Sequence, residues 1–221
     1  MKNLKDIIQE RLHINKDTGN HPNHYYNYHP KSNAELKELV DKLIEKRGND
    51  ADLNDIDTSE ITDMSQLFFK SKFNGNISEW DVSKVEDMSY MFSESTFNGD
   101  ISNWDVRNVK DMNGVFFRSK FNGDISNWDV NNVKNMSYMF CGTSFNGDIS
   151  NWDVRNAEDM IGMFEDSKFT GKNSDISKWD VSNVKNMSSM FYESPFNGDI
   201  SNWNVSNVES MDCMFTYSRF N

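Results

Sequence analysis

The sequence has few cysteines, few basic residues and no long apolar run, and each shortage excludes a class of protein. Cys141 and Cys213 are the only cysteines among 221 residues, which excludes a disulfide-based scaffold. No stretch approaches the ~18 consecutive apolar residues of a transmembrane helix. Lys and Arg number 23 against 35 Asp and Glu, and the formal net charge of -12 disfavours binding to nucleic acids and membranes.

The first 20 residues contain neither an apolar run nor a small-residue cleavage site, so no secretory signal is expected. The predicted location is therefore cytoplasmic, with the cell surface, reached by a non-standard route, as the alternative. Apolar residues make up only 36% of the chain, yet it contains 16 Phe, 6 Trp and 13 Met. Because disordered chains are poor in aromatic residues, we expect a packed core of large side chains.

Those large side chains recur with a period of 24 residues, broken once by three extra residues, 172–174. The unit reads I-S-x-W-D-V-x-x-V-x-x-M-x-x-M-F-x-x-S-x-F-N-G-D. Six units begin with isoleucine, and a degenerate seventh begins at Leu53; the six are Ile77, Ile101, Ile125, Ile149, Ile176 and Ile200. Since the insertion follows Gly171, we expect it to lie in a turn.

A period of 24 is too short for a pair of helices and falls within the roughly 20–29 residues of leucine-rich repeats. The I-x-x-W-x-V part alternates like a strand, and V-x-x-M-x-x-M-F has the spacing of a short helical or 3₁₀ segment. Such a unit buries its apolar side chains only by stacking on its neighbours. The sequence predicts a repeat solenoid: a leucine-rich-repeat-like right-handed α/β or β-solenoid of about seven coils over residues 53–221.

Residues 1–52 carry no net charge and are predicted to form a small N-terminal helical cap on the first coil. Two helices are expected, one around Leu4–Leu12 and one that starts at the capping box Ser32–Glu35 and stops at Gly48. Between them, a polar loop whose tyrosines pack on the first coil is favoured over a transition-metal site at His21, His24 and His29.

The repeat F-N-G-D-I-S-N-W-D-V-x-N-V-x-x-M-x-x-M-F resembles the BspA-like leucine-rich-repeat surface proteins, a family of bacterial lipoprotein repeat domains of unknown function. The resemblance covers residues 53–221. It implies a leucine-rich-repeat-like solenoid, and some members of that family are cell-surface adhesins that bind host proteins.

Stacking would turn the aspartates that follow each Trp and each repeat Gly into two rows of neighbours. We favour Asx-type caps, in which each carboxylate accepts hydrogen bonds from its own turn. The alternative is a row of calcium sites, because Ca²⁺ prefers carboxylate oxygens. The candidate ligands are Asp100, Asp105, Asp124, Asp129, Asp148 and Asp153.

The repeats contain no histidine, no phosphate-binding loop and no nucleophile–base constellation. Glycosidase catalysis needs two carboxylates in unlike environments, which near-identical aspartate columns do not provide. We therefore expect no enzyme activity and no cofactor. The columns just after M-F vary between units and mix aromatic with charged residues, which is typical of interaction hot spots. The predicted partner-binding residues are Phe69, Lys70, Phe117, Arg118, Tyr192, Tyr217 and Arg219.

The preferred function is protein–protein recognition with an unidentified protein partner. The alternatives are an acidic nucleic-acid mimic that inhibits a DNA- or RNA-binding protein, and a calcium-stabilised surface adhesin. Apolar residues of the C-terminal coil, such as Trp203 and Met211, also predict a homodimer formed end to end through that coil.

Overall fold

The structure is a computed structural model and describes residues 26–221. Within that range the one helix is α1, Asn33–Arg47, and the β-structure consists of eight isolated parallel bridges. The helix predicted around Leu4–Leu12, together with His21 and His24, lies outside the described residues. No helix in the described range has the length and apolar character needed to cross a membrane.

Helix α1 starts and stops at the residues that its capping signals predict. The Ser32 hydroxyl accepts the Glu35 N–H at 3.3 Å, and Glu35 Oε2 accepts the N–H of Lys31 at 2.8 Å. At the other end, Gly48 takes a φ of 92° and its N–H donates to Ile44 O at 2.8 Å. Both termini therefore satisfy backbone groups that a helix end leaves without intrahelical partners.

Successive 24-residue units lie side by side in parallel register. The residue just before the first methionine of each unit bridges its equivalent in the next unit, along Asp63, Asp87, Asp111, Asn135, Asp159, Asn186 and Ser210. The chain bends at residues 171–173, which include the first two inserted residues, and the hydroxyl of the third, Ser174, accepts the Ile149 N–H at 2.9 Å. The prediction that the insertion lies in a turn is confirmed, and the register continues beyond it.

The segment that begins at this methionine is a turn ribbon, comprising residues 64–71 and their equivalents in each unit. Gln66 and Lys70 have φ values of 56° and 57°, which a right-handed helix does not allow, so the predicted helical or 3₁₀ segment is wrong. The N–H groups of residues 64, 66, 68 and 70 all donate to carbonyls of the following unit, at 2.8–2.9 Å. Each ribbon thus has a donor edge facing the next unit and an acceptor edge facing the previous one.

Each tryptophan ties its unit to the preceding one. The indole N–H of Trp80 donates to Leu53 O at 3.0 Å, and the five later tryptophans donate to the unit-opening isoleucines. The segment predicted to be strand-like, residues 77–82, contains one turn, closed by Trp80 N to Ile77 O at 3.2 Å, and a second turn, closed by Val85 N to Val82 O at 2.9 Å, follows it. Parallel pairing between units occurs at the start of the ribbon.

The core contains a double column of phenylalanine rings. Within one unit the Phe92 and Phe97 rings are stacked 4.4 Å apart, and Phe92 stacks on Phe116 of the next unit at 5.8 Å. Twelve phenylalanines are less than 2% exposed, and the tryptophans pack in the same cluster with most of the valines and methionines. The prediction that the aromatic and methionine residues form core is confirmed.

Helix α1 packs against the first unit, as expected of a cap. Its buried face, which includes Leu36 and Leu43, belongs to the same apolar cluster as the repeats. Asn33 Nδ2 donates to Asp63 O at 3.2 Å, and Lys37 Nζ donates to Leu67 O at 3.2 Å. These side chains pair with carbonyls on the acceptor edge of the first ribbon, where an additional unit would otherwise donate.

The loop before α1 also packs on the first unit. Tyr26 is buried, and Tyr28 bridges Ile56 and lies against the core, as the loop interpretation predicted. His29 Nδ1 lies 2.9 Å from Asp57 Oδ2, so this histidine is paired with a carboxylate of that unit.

Candidate recognition surface

The aspartates that follow each tryptophan cap their own turns. Oδ1 of Asp105 accepts the backbone N–H of Arg107 at 3.3 Å and also its Nε–H at 2.7 Å. The same bond to the N–H two residues on recurs at 3.0–3.3 Å along the column Asp81, Asp129, Asp153, Asp180 and Asn204. This bond is the Asx-type cap that the sequence favoured.

The column after each repeat glycine caps in the same way. The N–H and the hydroxyl of Ser102 both donate to Asp100 Oδ1, and these bonds lower the pKa of that carboxyl. Ser126 N–H likewise donates to Asp124 at 2.9 Å and lowers its pKa. Asp148 accepts from Ser150 at 2.9 Å. The repeated aspartates therefore contribute a turn contact to each unit.

The described residues contain no cluster of side chains that would support the calcium alternative. Across residues 26–221, no three His, Cys, Asp or Glu side chains come together closely enough to hold a metal ion. The candidate ligands Asp100, Asp124 and Asp148 are exposed and each one bonds within its own turn.

Sequence reasoning missed a third capping column, the Asp or Asn just before the first methionine of each ribbon. Asp63 Oδ1 accepts Ser65 N–H at 2.7 Å, and Asp111 accepts Asn113 N–H at 2.8 Å. This column is partly buried, and burial raises the pKa of Asp111. The signal that reveals it is the Asp or Asn that precedes this methionine in six of the seven units.

Two predicted partner-binding pairs combine a cation with an aromatic ring. Lys70 Nζ lies 4.8 Å from the centre of the Phe69 ring, which is 38% exposed. Two units further along, the Arg118 guanidinium lies 5.1 Å from the centre of the Phe117 ring. We call the exposed side of the turn ribbons, which carries both pairs, the ribbon face.

The remaining predicted residues meet on the last two units of the ribbon face. Tyr192 packs edge-on against Tyr217, with ring centres 5.7 Å apart. Tyr217 and Arg219 line a groove of about 560 Å³ together with a lysine and a glutamate; its lining is Ser167, Lys168, Glu193, Ser194, Pro195, Tyr217 and Arg219. These three predicted residues therefore come together, whereas the Phe69 and Phe117 pairs belong to separate units.

Tyrosines at the third ribbon position also belong to this face and were not predicted. The Tyr138 ring packs edge-on against Phe117 at 6.5 Å. Tyr90 and Tyr138 lie over Gly114 and Gly162 of the following units, where an added Cβ would come within 2.6 Å of each ring. Tyrosine and glycine thus alternate at this position over the four units that contain Tyr90, Gly114, Tyr138 and Gly162, which the printed sequence already shows.

Exposed ion pairs link neighbouring units at the residue two before the first methionine of the ribbon. Sequence reasoning did not single out this row. Lys110 Nζ lies 2.7 Å from Glu86, and Glu158 bonds both Lys134 at 3.2 Å and Lys185 at 2.7 Å. We call this the charge row. Exposed pairs contribute little to stability, and here they offset part of the negative charge of the repeats.

The profile of one protein family matches residues 35–144, 95–192 and 117–221, which together span most of the chain. That family is described as a Mycoplasma protein of unknown function, DUF285. The chain belongs to the DUF285 family. Neither the curated proteins nor the solved structures provide a significant match. The DUF285 matches overlap along the repeats, as expected where one pattern recurs at a fixed period.

Proposed function

We propose that this DUF285 chain is a non-enzymatic protein-recognition module, built as a leucine-rich-repeat-like solenoid of the BspA-like type. The observation that carries the proposal is the contrast between the two sides of each ribbon. In the units before the last one, the apolar side chains that repeat are buried, whereas the side chains that change at the seventh position of each ribbon are mostly exposed on the ribbon face. Repeat proteins that bind partners show this division, because their repeated positions maintain the stack and the others are free to vary.

The chemistry of the ribbon face also supports binding to a protein. Exposed or half-buried aromatic rings beside Lys and Arg are the residue types that contribute most to protein interfaces. Phe69 and Tyr217 are two of the four large apolar side chains that the described residues expose, at 38% and 78%. The groove beside Tyr217 adds Arg219, Lys168 and Glu193, so a partner segment with an acidic and an aromatic group would fit there.

A matched pair of variants tests this proposal. Arg118→Ser with Arg219→Ser removes two positive charges from the ribbon face, and Lys84→Ser with Lys185→Ser removes two positive charges from exposed ion pairs elsewhere. In affinity capture from the native host, we expect a partner that is retained by the wild-type chain and the Lys variant and lost from the Arg variant. Equal retention by both variants would contradict recognition through the ribbon face.

The nucleic-acid mimic remains the second candidate, favoured by an exposed row of carboxylates. Asp100, Asp124 and Asp148 occupy equivalent exposed positions in consecutive units, and residues 53–221 carry all of the net charge of -12. Asn76 occupies the same position in another unit, and its Oδ1 accepts the Ser78 N–H at 3.1 Å, so Asp→Asn changes preserve the cap. If the mimic function holds, the triple Asn variant stays folded but loses salt-sensitive binding to a basic nucleic-acid-binding protein.

A further inference from the structure

We propose that the ribbon face of the first three units docks an acidic, extended segment of the partner protein. The inference rests on the proposed function and adds the chemistry of the segment that is recognised. It follows from two copies of one short sequence, F-K-S-K at residues 69–72 and F-R-S-K at residues 117–120. These copies occupy the same positions two units apart, and each one provides an aromatic ring and two cations.

The cations of the two copies form a basic patch on an acidic chain. We call this the cationic patch, and its four exposed members are Lys70, Lys72, Arg118 and Lys120. Lys70 Nζ lies 3.5 Å from Glu94 of the second unit. Within residues 26–221, Lys72 and Lys120 form no ion pair, unlike the lysines of the charge row. Their charges are therefore available to the carboxylates of a partner, which the net charge of -12 otherwise repels.

Packing holds one cation of each copy beside its aromatic ring. The Arg118 guanidinium lies 5.1 Å from the centre of the Phe117 ring, and Lys70 Nζ lies 4.8 Å from the centre of the Phe69 ring. An added Cβ on Gly142 of the following unit would lie 2.8 Å from Arg118 Cγ, so this glycine leaves room for the arginine side chain. Cations that are already positioned lose less side-chain freedom when a carboxylate binds, and a guanidinium suits a carboxylate in shape.

The distance between the two copies favours an extended segment. The buried rings just before them step from Phe68 to Phe92 by 5.4 Å and from Phe92 to Phe116 by 5.8 Å, so the copies lie about 11 Å apart. In an extended chain, side chains two residues apart share a face at about 6.6 Å, and those four residues apart share it at about 13 Å. Two acids four residues apart therefore reach one copy each. The residue midway faces Glu94, which favours a basic or neutral side chain there.

Fluorescence anisotropy with labelled peptides and the full chain tests the proposal. The probe peptide has two glutamates four residues apart and a lysine midway, E-S-K-S-E. The control peptide has the same composition with adjacent glutamates, E-E-K-S-S. We expect the probe to bind at least about fivefold more tightly than the control at low ionic strength, because only the probe engages both copies at once. Equal affinities, or no binding of the probe, would overturn the proposal.

Two variants of equal charge locate the contact. Lys72→Ser with Lys120→Ser removes two cations from the cationic patch, and Ser144 already occupies the equivalent position in the fourth unit. Lys172→Ser with Lys178→Ser removes two exposed cations elsewhere. We expect the first variant to bind the probe at least about fivefold more weakly than the wild type, and the second to bind it equally well. Thermal melting checks that both are folded, and equal losses in both would contradict docking at the patch.

The capture experiment separates this inference from the proposed function. If Arg118→Ser with Arg219→Ser loses a host partner but the probe does not bind, ribbon-face recognition stands and the acidic segment is wrong. If that variant retains the partner and the probe does not bind, both are wrong. Heparin that binds the cationic patch while the probe does not would identify a sulfated polysaccharide as the ligand, which also overturns the proposal.

Discussion

At the scale of single residues, the repeat assigns a different physical task to each of its positions. The tryptophan indole crosses to the preceding unit, as Trp128 does to Ile101 O at 3.1 Å, and the aspartate that follows it closes its own turn. Positions outside this pattern are set by their neighbours in space. Tyr90 over Gly114 is such a case, because the ring of one unit occupies the room that the glycine of the next unit leaves.

This alternation predicts a coupled effect. Gly114→Ala is expected to destabilise the protein by about 1–3 kcal/mol, because φ is 59° there and the new Cβ meets the Tyr90 ring at 2.6 Å. In a Tyr90→Ser background the same change should cost less, since only the backbone strain remains. Urea denaturation of the four chains measures the coupling, and strictly additive free energies would contradict the packing described.

The two cysteines are predicted to differ in reactivity. Cys141 is buried, and burial raises its pKa to about 12, so its thiolate is scarce near neutral pH, whereas Cys213 is exposed. Iodoacetamide at about pH 8 should therefore label one thiol in the native protein and two in urea, counted by mass spectrometry. A Cys213→Ser variant should remain unlabelled until it unfolds; rapid native labelling of that variant would show that Cys141 is accessible.

At the scale of elements, the sequence predicted those features that residues close in the chain determine. Helix α1 begins after Ser32 and stops before Gly48 because both caps act within a few residues. The turn ribbon was not predictable in this way, since non-glycine residues such as Gln66 and Lys70 adopt positive φ there. Such strain is tolerated because hydrogen bonds to the next unit fix the backbone, and the spacing of apolar residues carries no sign of it.

For the candidate surface, too, features set by local sequence were predictable, whereas those set by contacts between units were not. The Asx caps were predicted, because an aspartate before its own turn is a local signal, and the variable columns indicated the ribbon face. The contact of Tyr192 with Tyr217, and the groove that Tyr217 and Arg219 line, both depend on packing between units. The charge row also depends on packing between units, because Glu158 contacts lysines from both neighbouring units.

The capping role of α1 predicts an effect of a single amide. Asn33→Ala removes the donor to Asp63 O and Ser65 O, and we expect a loss of about 1 kcal/mol in the free energy of unfolding. Glu45→Ala, at an exposed position of the same helix, is the control and should change stability by less than about 0.5 kcal/mol. Equal losses in chemical denaturation would mean that Asn33 does not stabilise the first ribbon.

At the scale of the whole molecule, the hydrogen bonds between units all run in one direction along the stack. Every inner ribbon donates from the same side and accepts on the other, so the two ends of the stack differ in chemistry: α1 covers the acceptor end, and the donor end has no acceptor among the described residues. The period of 24 residues indicated that units stack, but it could not give this polarity, which lies in the backbone of the ribbon, where every second N–H donates to the next unit.

The measurement that tests this account most directly is residue-resolved amide hydrogen exchange of the free chain. The account predicts slow exchange at Met136, Tyr138, Phe140 and Gly142, whose N–H groups donate to the next unit at 2.7–2.9 Å. It predicts fast exchange at the equivalent N–H groups of the last unit, residues 211, 213, 215 and 217. Equal protection of the two sets, or fast exchange in both, would contradict a stack of ribbons with one donor direction.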